Sequence, residues 1–311
     1  MNSALVICNA NLILSTKLIR NGYIICRNGM IVQYGEGGYT PQPDEQVIDA
    51  GGNYVAPGFI DIHTHGAGGF DFMDNTVEAY LRIAETHAKY GTTSLLPTTL
   101  ASSNDELYET LVVYREAKAL NKKGAAFLGL HLEGPYFSYE QRGAQDPKYL
   151  RNPTPEEYNA ILDFSDDIVR WSLAPELTGA LDFGITLRSK QILPSVAHTN
   201  AIYEEIEAAF EAGFTHITHL YSAMSSVTRR NAFRYAGVGE AAYLIDDMTV
   251  EIIADGVHLP KPLLQYVYKF KGPDKTALCT DSMRGAGMPD GEYILGSLTN
   301  GQRVIVEDGV A

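Results

Sequence analysis

The sequence predicts an α/β protein: a (β/α)8 barrel, the TIM-barrel fold, preceded by a small β-subdomain. From about residue 53 onward, apolar strand segments alternate with amphipathic helix patterns. Eight such strands with helical crossovers in about 250 residues match the usual size of this barrel. Residues 1–52 instead contain short β-rich runs joined by turns. We therefore expect a β-subdomain at residues 1–52, contributing its N-terminal half, and a barrel domain at residues 53–311.

The N-terminal part contains a strong hairpin pattern. Tyr23–Arg27 and Met30–Tyr34 flank Asn28–Gly29, and Asn-Gly between β-rich runs is the dipeptide most typical of a two-residue hairpin turn. A further strand is expected at Gln46–Ile48.

Eight strands and six helices are expected in the second part. The strands are Phe59–Ile62, Thr93–Leu96, Phe127–Leu132, Ile168–Leu173, Leu193–Val196, His216–Thr218, Val250–Ile253 and Thr276–Cys279. The helices are Val77–Tyr90, Asp105–Asn121, Pro155–Phe164, Ala180–Arg188, Ile202–Ala212 and Pro260–Phe270, with Asn104, Thr154 and Thr178 as expected N-caps. A doubly wound open sheet is the alternative, but HTHGAGG after the first strand lacks the G-x-G-x-x-G spacing of a nucleotide loop.

Composition and charge narrow the possible functions. The 311 residues are 45% apolar and 20% charged, as in ordinary globular proteins. No apolar run reaches the roughly 18 residues of a membrane-spanning helix, and no basic segment precedes the apolar N-terminus, so neither a membrane span nor a cleaved signal is expected. The net charge of −14 disfavours nucleic acid and anionic membrane as partners. The three cysteines lack metal-site spacing, which indicates thiols in a reducing cytoplasm.

Metal-capable side chains follow the ends of the predicted strands. These residues are His63, His65, Glu133, His198, His219 and Asp281. Because a barrel places its active site where the strands end, four histidines and two carboxylates are expected to converge at one mouth. A nitrogen and oxygen donor set favours zinc, iron or manganese, with one or two divalent ions bound and Glu133 able to bridge them.

Four other residues have a less definite interpretation. By the alternation of a strand His216 faces away from His219, and we assign it to wall packing. His131 is expected to support the site from behind, and His87 to be a surface or packing residue. Cys279 is expected to be a buried barrel residue rather than a nucleophile, because no partner base is identifiable.

Six segments together carry a family resemblance. APGFIDIHTHGAGGFD, HLEGP, SVAHTNA, HLYSAM, ADGVHLP and CTDSM occur in this order. The sequence resembles the amidohydrolase superfamily and, within it, the N-acetylglucosamine-6-phosphate deacetylases. The segment HLEGP is specific, since most relatives place a carboxylated lysine at the end of strand four where this group uses a glutamate after strand three. The resemblance covers the chain to about residue 300.

The resemblance implies a role for each matching residue. Glu133, His198 and His219 match the principal metal ligands, and His63 and His65 match the pair that holds a second ion in two-metal members. Asp281 matches the catalytic acid/base, which also contacts the metal. The residues that match substrate contacts are Ala144, Gln145, Ser222, Ala223, Arg230, Asp255, Gly256, Val257 and His258, with His258 at the acetamide and Arg230 at the sugar phosphate of a neighbouring subunit.

The sequence also departs from the family pattern. Ser222 stands where asparagine is common, and Gln145 where some members have histidine. The Glu-Pro-Gly that often follows the phosphate-binding arginine is missing, so Arg229 or Arg234 is an alternative to Arg230. The chain stops soon after strand eight, before the family's last helix and closing strands, and we expect the C-terminal part of the fold to be truncated.

The implied activity is metal-dependent hydrolysis of the acetamide of N-acetylglucosamine 6-phosphate by a cytoplasmic homodimer. Three alternatives remain open. One is the same chemistry on another sugar, such as N-acetylgalactosamine 6-phosphate. The second is a cyclic amidase or a nucleobase deaminase on the same barrel. The third is a metal barrel that binds sugar phosphate without turnover.

Overall fold

The computed structural model describes residues 4–310, and the chain forms two compact units, Met1–Gly58 and Phe59–Ala311. The first unit is a mixed sheet in the order β3-β2-β1-β4, with β5 also paired to β1. Its strands are β1 Leu5–Ile13, β2 Leu18–Arg27, β3 Met30–Glu36, β4 Gln46–Asp49 and β5 Tyr54–Val55.

The expected hairpin of the first unit is present. Asn28 and Gly29 both have positive φ, 51° and 76°, and Arg27 pairs with Met30 across the turn. Two consecutive residues of positive φ give the turn a twist that matches the flanking strands, which is why the Asn-Gly dipeptide predicts it.

The second unit alternates strands and helices. Its strands are β6 Phe59–Thr64, β7 Gly66–Ala67, β8 Phe70–Asp71, β9 Thr92–Pro97, β10 Ala126–Phe127, β11 Leu130–Glu133, β12 Ile168–Leu173, β13 Leu193–Val196, β14 His216–Ile217, β15 Thr228–Arg230, β16 Phe233–Tyr235, β17 Thr249–Ile253, β18 Thr276–Cys279, β19 Gly291–Leu295 and β20 Gln302–Val306. Its α-helices are α1 Val77–Lys89, α2 Asn104–Leu120, α3 Pro155–Phe164, α4 Ala180–Ser189, α5 Tyr203–Glu211, α6 Val238–Leu244 and α7 Lys261–Phe270. Short 3₁₀ helices lie at Phe72–Asp74, Tyr139–Gln141, Pro147–Tyr149 and Pro273–Lys275.

A curled parallel sheet forms the centre of this unit. Three strands pair in the order β10-β9-β6, and six pair in the order β11-β12-β13-β14-β17-β18, with every pairing parallel. Single parallel bridges join the edges of these two sheets, one between Thr98 and His131 and one between Thr64 and Ser282. All carboxyl ends of the parallel strands therefore point the same way.

Helices pack their apolar faces around the sheet. Trp171 on β12 stacks with Tyr136 and meets Phe183 of α4 edge-on, and all three side chains are buried. The indole of Trp171 also donates a hydrogen bond to the carbonyl of Gly134. This packing fixes the chain that leaves the end of β11, where Glu133 is located.

The structure corrects several local expectations. The segment expected as one strand at Phe127–Leu132 is divided into β10 and β11 by Leu128–Gly129. The N-cap of α2 is Ser103 rather than Asn104, because the Ser103 hydroxyl accepts from the backbone N–H of Glu106. Gly179, with φ of 86°, precedes α4 in place of Thr178. Helix α6 and the hairpins β15–β16 and β19–β20 were not expected, since their short segments lack clear periodicity.

Among residues 4–310, no helix combines the length and the apolar content that crossing a membrane requires.

Candidate metal and active site

Six candidate ligands lie at the carboxyl ends of the parallel strands. His63 is the penultimate residue of β6, and His65 follows the end of that strand directly. Glu133 is the last residue of β11. The other three each stand two residues past a strand end, and all have a backbone in the left-handed region: His198 with φ of 46°, His219 with φ of 29° and Asp281 with φ of 47°. Non-glycine residues adopt this region at an energetic cost and are enriched at functional sites.

The donor atoms of these residues converge at two adjoining points. The Nε2 atoms of His198 and His219 lie 3.2 Å apart, and Glu133 Oε1 lies 3.4 and 3.2 Å from them. On the other side, the Nε2 atoms of His63 and His65 are 3.3 Å apart, with Asp281 Oδ1 at 3.3 and 3.2 Å. Glu133 belongs to both groups, because its Oε1 is 3.3 Å from His63 and its Oε2 is 3.4 Å from His65.

Hydrogen bonds on the far side of three imidazoles fix which nitrogen faces the centre. His63 Nδ1 faces Glu251 Oε1 at 2.8 Å, His65 Nδ1 faces the carbonyl of Thr98 at 3.3 Å, and His198 Nδ1 faces the carbonyl of Gln141 at 2.8 Å. Each partner is an acceptor, so each Nδ1 carries a proton and Nε2 is the nitrogen whose lone pair can face a cation at the centre. The His219 Nδ1 atom is buried and makes no hydrogen bond within residues 4–310.

This donor set fits divalent ions. Lone pairs of carboxylates and imidazoles face one another at 3.2–3.4 Å, where no protein donor satisfies them all. Ligands held at about 2.1 Å in a tetrahedral shell lie about 3.4 Å apart, which is the spacing found here. Two groups of three share Glu133: His63, His65 and Glu133, and Glu133, His198 and His219. One shared carboxylate between two histidine pairs suits a two-ion centre as well as a single ion.

The charges of the cluster explain its proton affinities. Burial raises the pKa of Asp281, but the facing His63 and His65 outweigh burial and hold that pKa below its usual value. Burial lowers the pKa of His65, whereas the carboxylates of Asp281 and Glu133 raise it to about 9. The cluster thus stays rich in negative charge and holds protons on its histidines, and a bound cation would displace those protons.

A buried ion pair lies beneath the cluster. Glu251 on β17 accepts hydrogen bonds from Arg170 on β12 through both oxygens, at 2.6 and 3.1 Å. Arg170 also donates to the carbonyl of Ile62 and to the hydroxyls of Ser195 and Thr218. Burial opposes ionisation of Glu251, but the Arg170 guanidinium and the imidazole of His63 hold the pKa of its carboxyl well below its usual range.

A cavity of about 470 Å³ opens above the ligands. The expected substrate residues Ala144, Gln145, Ser222, Ala223, Asp255 and His258 line it. His258 is partly exposed, and its Nδ1 is 2.6 Å from Asp255 Oδ2. Of the other expected residues, Gly256 and Val257 are not in the lining, and neither is Arg230.

Arg230 is turned away from the cavity of its own chain. It lies in β15, where its guanidinium is exposed, donates to the carbonyl of Asn200 at 3.3 Å and rests 5.6 Å from the ring centre of Tyr235. Arg229 and Arg234 face each other across the same hairpin. The structure of one chain therefore does not bring any of the three arginines to the metal ligands.

Gln145 is hydrogen-bonded to Glu133, one of the candidate metal ligands. Its Oε1 accepts from the backbone N–H of Ala101 at 2.8 Å, which turns its Nε2 toward Glu133 Oε2 at 2.7 Å. The amide therefore orients the shared carboxylate, in addition to lining the cavity.

The structure places the four residues whose interpretation from the sequence was less definite. His216 was assigned to wall packing, but its Nε2 lies 3.5 Å from Glu251 and its Nδ1 pairs with Thr249. His87 is buried against Thr64 and Ser282, and burial lowers its pKa to about 4. His131 lies behind His63 as expected, with its ring nitrogens on Thr98 and Ser172. Cys279 is buried, which raises the pKa of its thiol well above the usual value, as expected of a residue that is not a nucleophile.

Sequence reasoning missed Arg170, Glu251 and Asp61. Asp61 on β6 accepts from the backbone N–H groups of His63 and Thr280 and from the Thr280 hydroxyl, so it ties the β6 and β18 strand ends together. The sequence signal that could have identified Arg170 and Glu251 is a charged residue inside an otherwise apolar strand segment, IVRWSL and TVEII respectively. A buried charge of this kind requires a partner, and Arg170 and Glu251 are partners of each other.

Comparison with known proteins agrees with this geometry. The model of the Amidohydrolase family matches residues 54–287. An N-acetylglucosamine-6-phosphate deacetylase of Haemophilus influenzae is 35% identical over 90% of this chain and 72% of its own length, and one of Bacillus subtilis is 32% identical over 99% and 79%. An N-acetylgalactosamine-6-phosphate deacetylase of Escherichia coli O157:H7 is 31% identical over 80% of this chain and 65% of its own length.

A solved structure is similar over nearly the whole chain. The N-acetyl-D-glucosamine-6-phosphate deacetylase of Mycobacterium smegmatis, determined as a point mutant in complex with N-acetyl-D-glucosamine-6-phosphate, superposes with a TM-score of 0.85 at 30% identity, over 99% of this chain and 77% of the other. The chain therefore belongs to the amidohydrolase family. Within that family, the relatives named here are deacetylases of 6-phosphorylated N-acetylhexosamines.

The metal ligands generate a first prediction. Purified protein is expected to contain one to two equivalents of a divalent ion, and His219→Ala is expected to lose the ion of the Glu133, His198 and His219 group, because it removes one of three donors. Elemental analysis of dialysed protein measures this. His87→Ala, which alters a buried histidine outside the cluster, serves as the control and should retain the metal. A fully active wild-type protein free of metal would contradict the prediction.

Proposed function

We propose that the protein hydrolyses the acetamide of N-acetylglucosamine 6-phosphate to glucosamine 6-phosphate and acetate with a divalent metal, in amino-sugar catabolism. The observation that carries the proposal is the convergence of four Nε2 lone pairs and two carboxylates below one cavity. The names of the similar proteins supply the substrate class. Zinc, iron and manganese are the ions whose ligand preferences the donor set meets.

The residues proposed to hold the metal are His63, His65, Glu133, His198 and His219, with Asp281 at its edge. When bound, a divalent ion supplies a Lewis acid that lowers the pKa of water toward about 7.

Asp281 is the proposed acid and base. Its side chain opens into the cavity, and His63 and His65 keep its carboxylate ionised, so an oxygen is available to accept the proton of the attacking water. The same proton is then delivered to the nitrogen of the sugar as the carbon–nitrogen bond breaks, leaving acetate and a free amine.

His258 is proposed to bind the acetamide oxygen. Its Nδ1 is paired with Asp255 and the ring lines the cavity, so its Nε2–H is proposed to donate to the acetamide oxygen, which gains negative charge during the reaction. Ala144, Ser222 and Ala223 line the same cavity and are proposed to contact the sugar. Gly256 and Val257 are proposed to shape the loop that carries His258.

Arg230 is proposed to bind the phosphate of a substrate in the neighbouring subunit of a homodimer. The guanidinium is exposed and lies outside the cavity of its own chain, which is the arrangement that donation to a partner requires. A net charge of −14 opposes binding of a dianion, so a cation placed at the phosphate is needed to offset it.

Three architectural proposals accompany this function. The two bridges between the parallel sheets support closure of strands β6, β9, β11, β12, β13, β14, β17 and β18 into a complete (β/α)8 barrel. The β-subdomain is proposed to comprise residues 1–52 together with the short strand β5, which pairs with β1. We propose a cytoplasmic location, because the three cysteines are free thiols.

A second candidate is deacetylation of N-acetylgalactosamine 6-phosphate. The E. coli O157:H7 relative carries that name, and the two sugars differ only in the orientation of one hydroxyl. Acetate release from both phosphorylated sugars, compared as kcat/KM, decides between them. We expect the glucosamine derivative to be preferred, and no release from either sugar by metal-loaded protein would overturn the deacetylase proposal.

Asp281→Asn tests the proton transfer. The amide preserves the shape of the side chain but accepts no proton, so turnover should fall by about 10² to 10⁴, the usual contribution of a general acid or base. Substrate binding, measured by calorimetry on the metal-loaded variant, should change little. Turnover close to that of the wild type would exclude this role.

Arg230→Ala tests the phosphate contact. Loss of a charged hydrogen bond of about 1.5–3 kcal/mol should weaken binding of N-acetylglucosamine 6-phosphate much more than binding of N-acetylglucosamine. The metal should be retained. Arg229→Ala and Arg234→Ala are the matched controls on the same hairpin.

A mixing experiment tests donation between subunits. If the arginine acts on the partner's site, Arg230→Ala and Asp281→Asn subunits mixed together should recover part of the activity, because one mixed site has both wild-type groups. Equal loss for both sugars in Arg230→Ala, or no loss for either, would show that Arg230 does not bind the phosphate.

A further inference from the structure

Within residues 4–310, Glu251 is the one carboxylate that contacts the ring of a candidate metal ligand without itself facing the metal. It lies in β17, fully buried, below the ring of His63. Its Oε1 accepts from His63 Nδ1 at 2.8 Å, and the same oxygen accepts from the backbone N–H of His219 at 3.2 Å. Among the candidate ligands it therefore contacts one side chain, that of His63.

Arg170 determines how the Glu251 carboxylate is turned. Arg170 approaches Glu251 Oε2 at 2.6 Å and Oε1 at 3.1 Å, a two-pronged contact that holds the carboxylate plane. The remaining guanidinium hydrogens bind Ile62, Ser195 and Thr218, so the arginine has no freedom to rotate. Glu251 Oε1 is consequently fixed at the position where it accepts a proton from His63.

We propose that Glu251 is a positioning residue that imposes the Nδ1–H tautomer on His63 and thereby controls binding of the ion held by His63 and His65. Only this tautomer leaves a lone pair on Nε2, which faces Glu133, Asp281 and His65 at 3.3 Å. The opposite tautomer would direct an N–H at the ion. The inference rests on the proposed metal-dependent function and extends it to a selective effect on one half of the centre.

The other half of the centre is independent of Glu251 at the level of side chains. The ring of His198 is held by the carbonyl of Gln141, and Glu133 is held by Gln145. His219 meets Glu251 only through its backbone N–H, and its ring nitrogen Nδ1 has no contact with the carboxylate. A change at Glu251 should therefore affect the two ions unequally.

Two double variants that differ in one acceptor atom are the sharpest test. Arg170→Met with Glu251→Met removes the carboxylate together with the cation that would otherwise remain buried, so His63 Nδ1 loses its acceptor. Glu133 and Asp281, which face Nε2, then favour the Nε2–H form. Arg170→Met with Glu251→Gln instead keeps an amide oxygen that accepts from His63 Nδ1 and from the backbone N–H of His219 at the position of Oε1. Removing a hydrogen-bond partner of a metal-bound histidine typically weakens metal affinity by about 10- to 100-fold.

Two readouts are measured on the intact chain. Titration of metal-free protein with Zn²⁺ should give two binding steps in the wild type, with the weaker step reduced about 10- to 100-fold in Arg170→Met with Glu251→Met and the other nearly unchanged. Long-range ¹H–¹⁵N correlation spectra of the zinc-free proteins are recorded at alkaline pH, where the ring of His63 has lost its second proton. They should show the Nδ1–H form of His63 in the wild type and in Arg170→Met with Glu251→Gln, and the Nε2–H form in Arg170→Met with Glu251→Met. A purely structural role for Glu251 would not exchange the tautomer.

Two variants control for folding. Asp74→Asn breaks the buried pair of Asp74 with Arg284, away from the ligands, and should leave both zinc affinities unchanged. Arg170→Met with Glu251→Gln loses the same ion pair as the double-methionine variant but keeps an acceptor for His63, so its weaker zinc step should stay close to that of the wild type.

The outcomes separate this inference from the proposed function. Absence of zinc binding by the wild type would overturn both. Two zinc steps with the same affinities in the wild type and in Arg170→Met with Glu251→Met would overturn only the positioning role, as would an Nε2–H form of His63 in the wild type. An equal loss at the weaker step in the two double variants would also overturn it, because the acceptor facing His63 would then make no difference.

Discussion

Mutual repulsion of lone pairs at one edge of the sheet is the constraint on which the rest of the site depends. Nitrogen and oxygen acceptors of six side chains meet at 3.2–3.4 Å, so the folded protein needs positive charge between them. Protons on histidines supply some of it, as the raised pKa of His65 indicates. A divalent ion supplies it more compactly, because one centre satisfies several lone pairs at once. The surrounding fold holds the acceptors together against their repulsion.

The backbone helps to hold these acceptors together because it leaves the extended conformation at the strand ends. His198, His219 and Asp281 all have positive φ two residues after their strands stop. A left-handed residue at that point turns the chain sharply and directs the side chain over the mouth instead of along the sheet. The conformation costs free energy for residues with a Cβ. Hydrogen bonds offset part of this cost: the backbone N–H of His219 binds Glu251, and that of Asp281 binds the carbonyl of His63.

The sequence predicted the parts of the structure that depend on short-range patterns. Strand ends carrying His-x-His, HLEGP and SVAH were located because apolar runs stop there, and Pro155–Phe164 matched its helix at both ends because Thr154 and Pro155 mark its start. The sequence did not indicate contacts between distant strands. Nothing local shows that Arg170 on β12 reaches Glu251 on β17, or that Gln145 binds Glu133 across a loop. Nor does parity reveal that His216 approaches the same carboxylate, because the alternation was counted from His219, which lies past the end of β14 with a left-handed backbone.

Arg170 also explains how a buried layer of charge is compatible with a stable fold. A carboxylate buried in the protein interior would normally favour its protonated, neutral form, and would then compete with His63 as a donor. Two guanidinium contacts keep Glu251 ionised, while the hydroxyls of Ser195 and Thr218 satisfy the remaining hydrogens of Arg170. Every polar atom of the pair is thus hydrogen-bonded, the condition under which burial of charge is tolerated. The Arg170–Glu251 pair is therefore rigid and holds the ring of His63 in one orientation. That orientation in turn determines the geometry of the metal-binding residues at the strand ends.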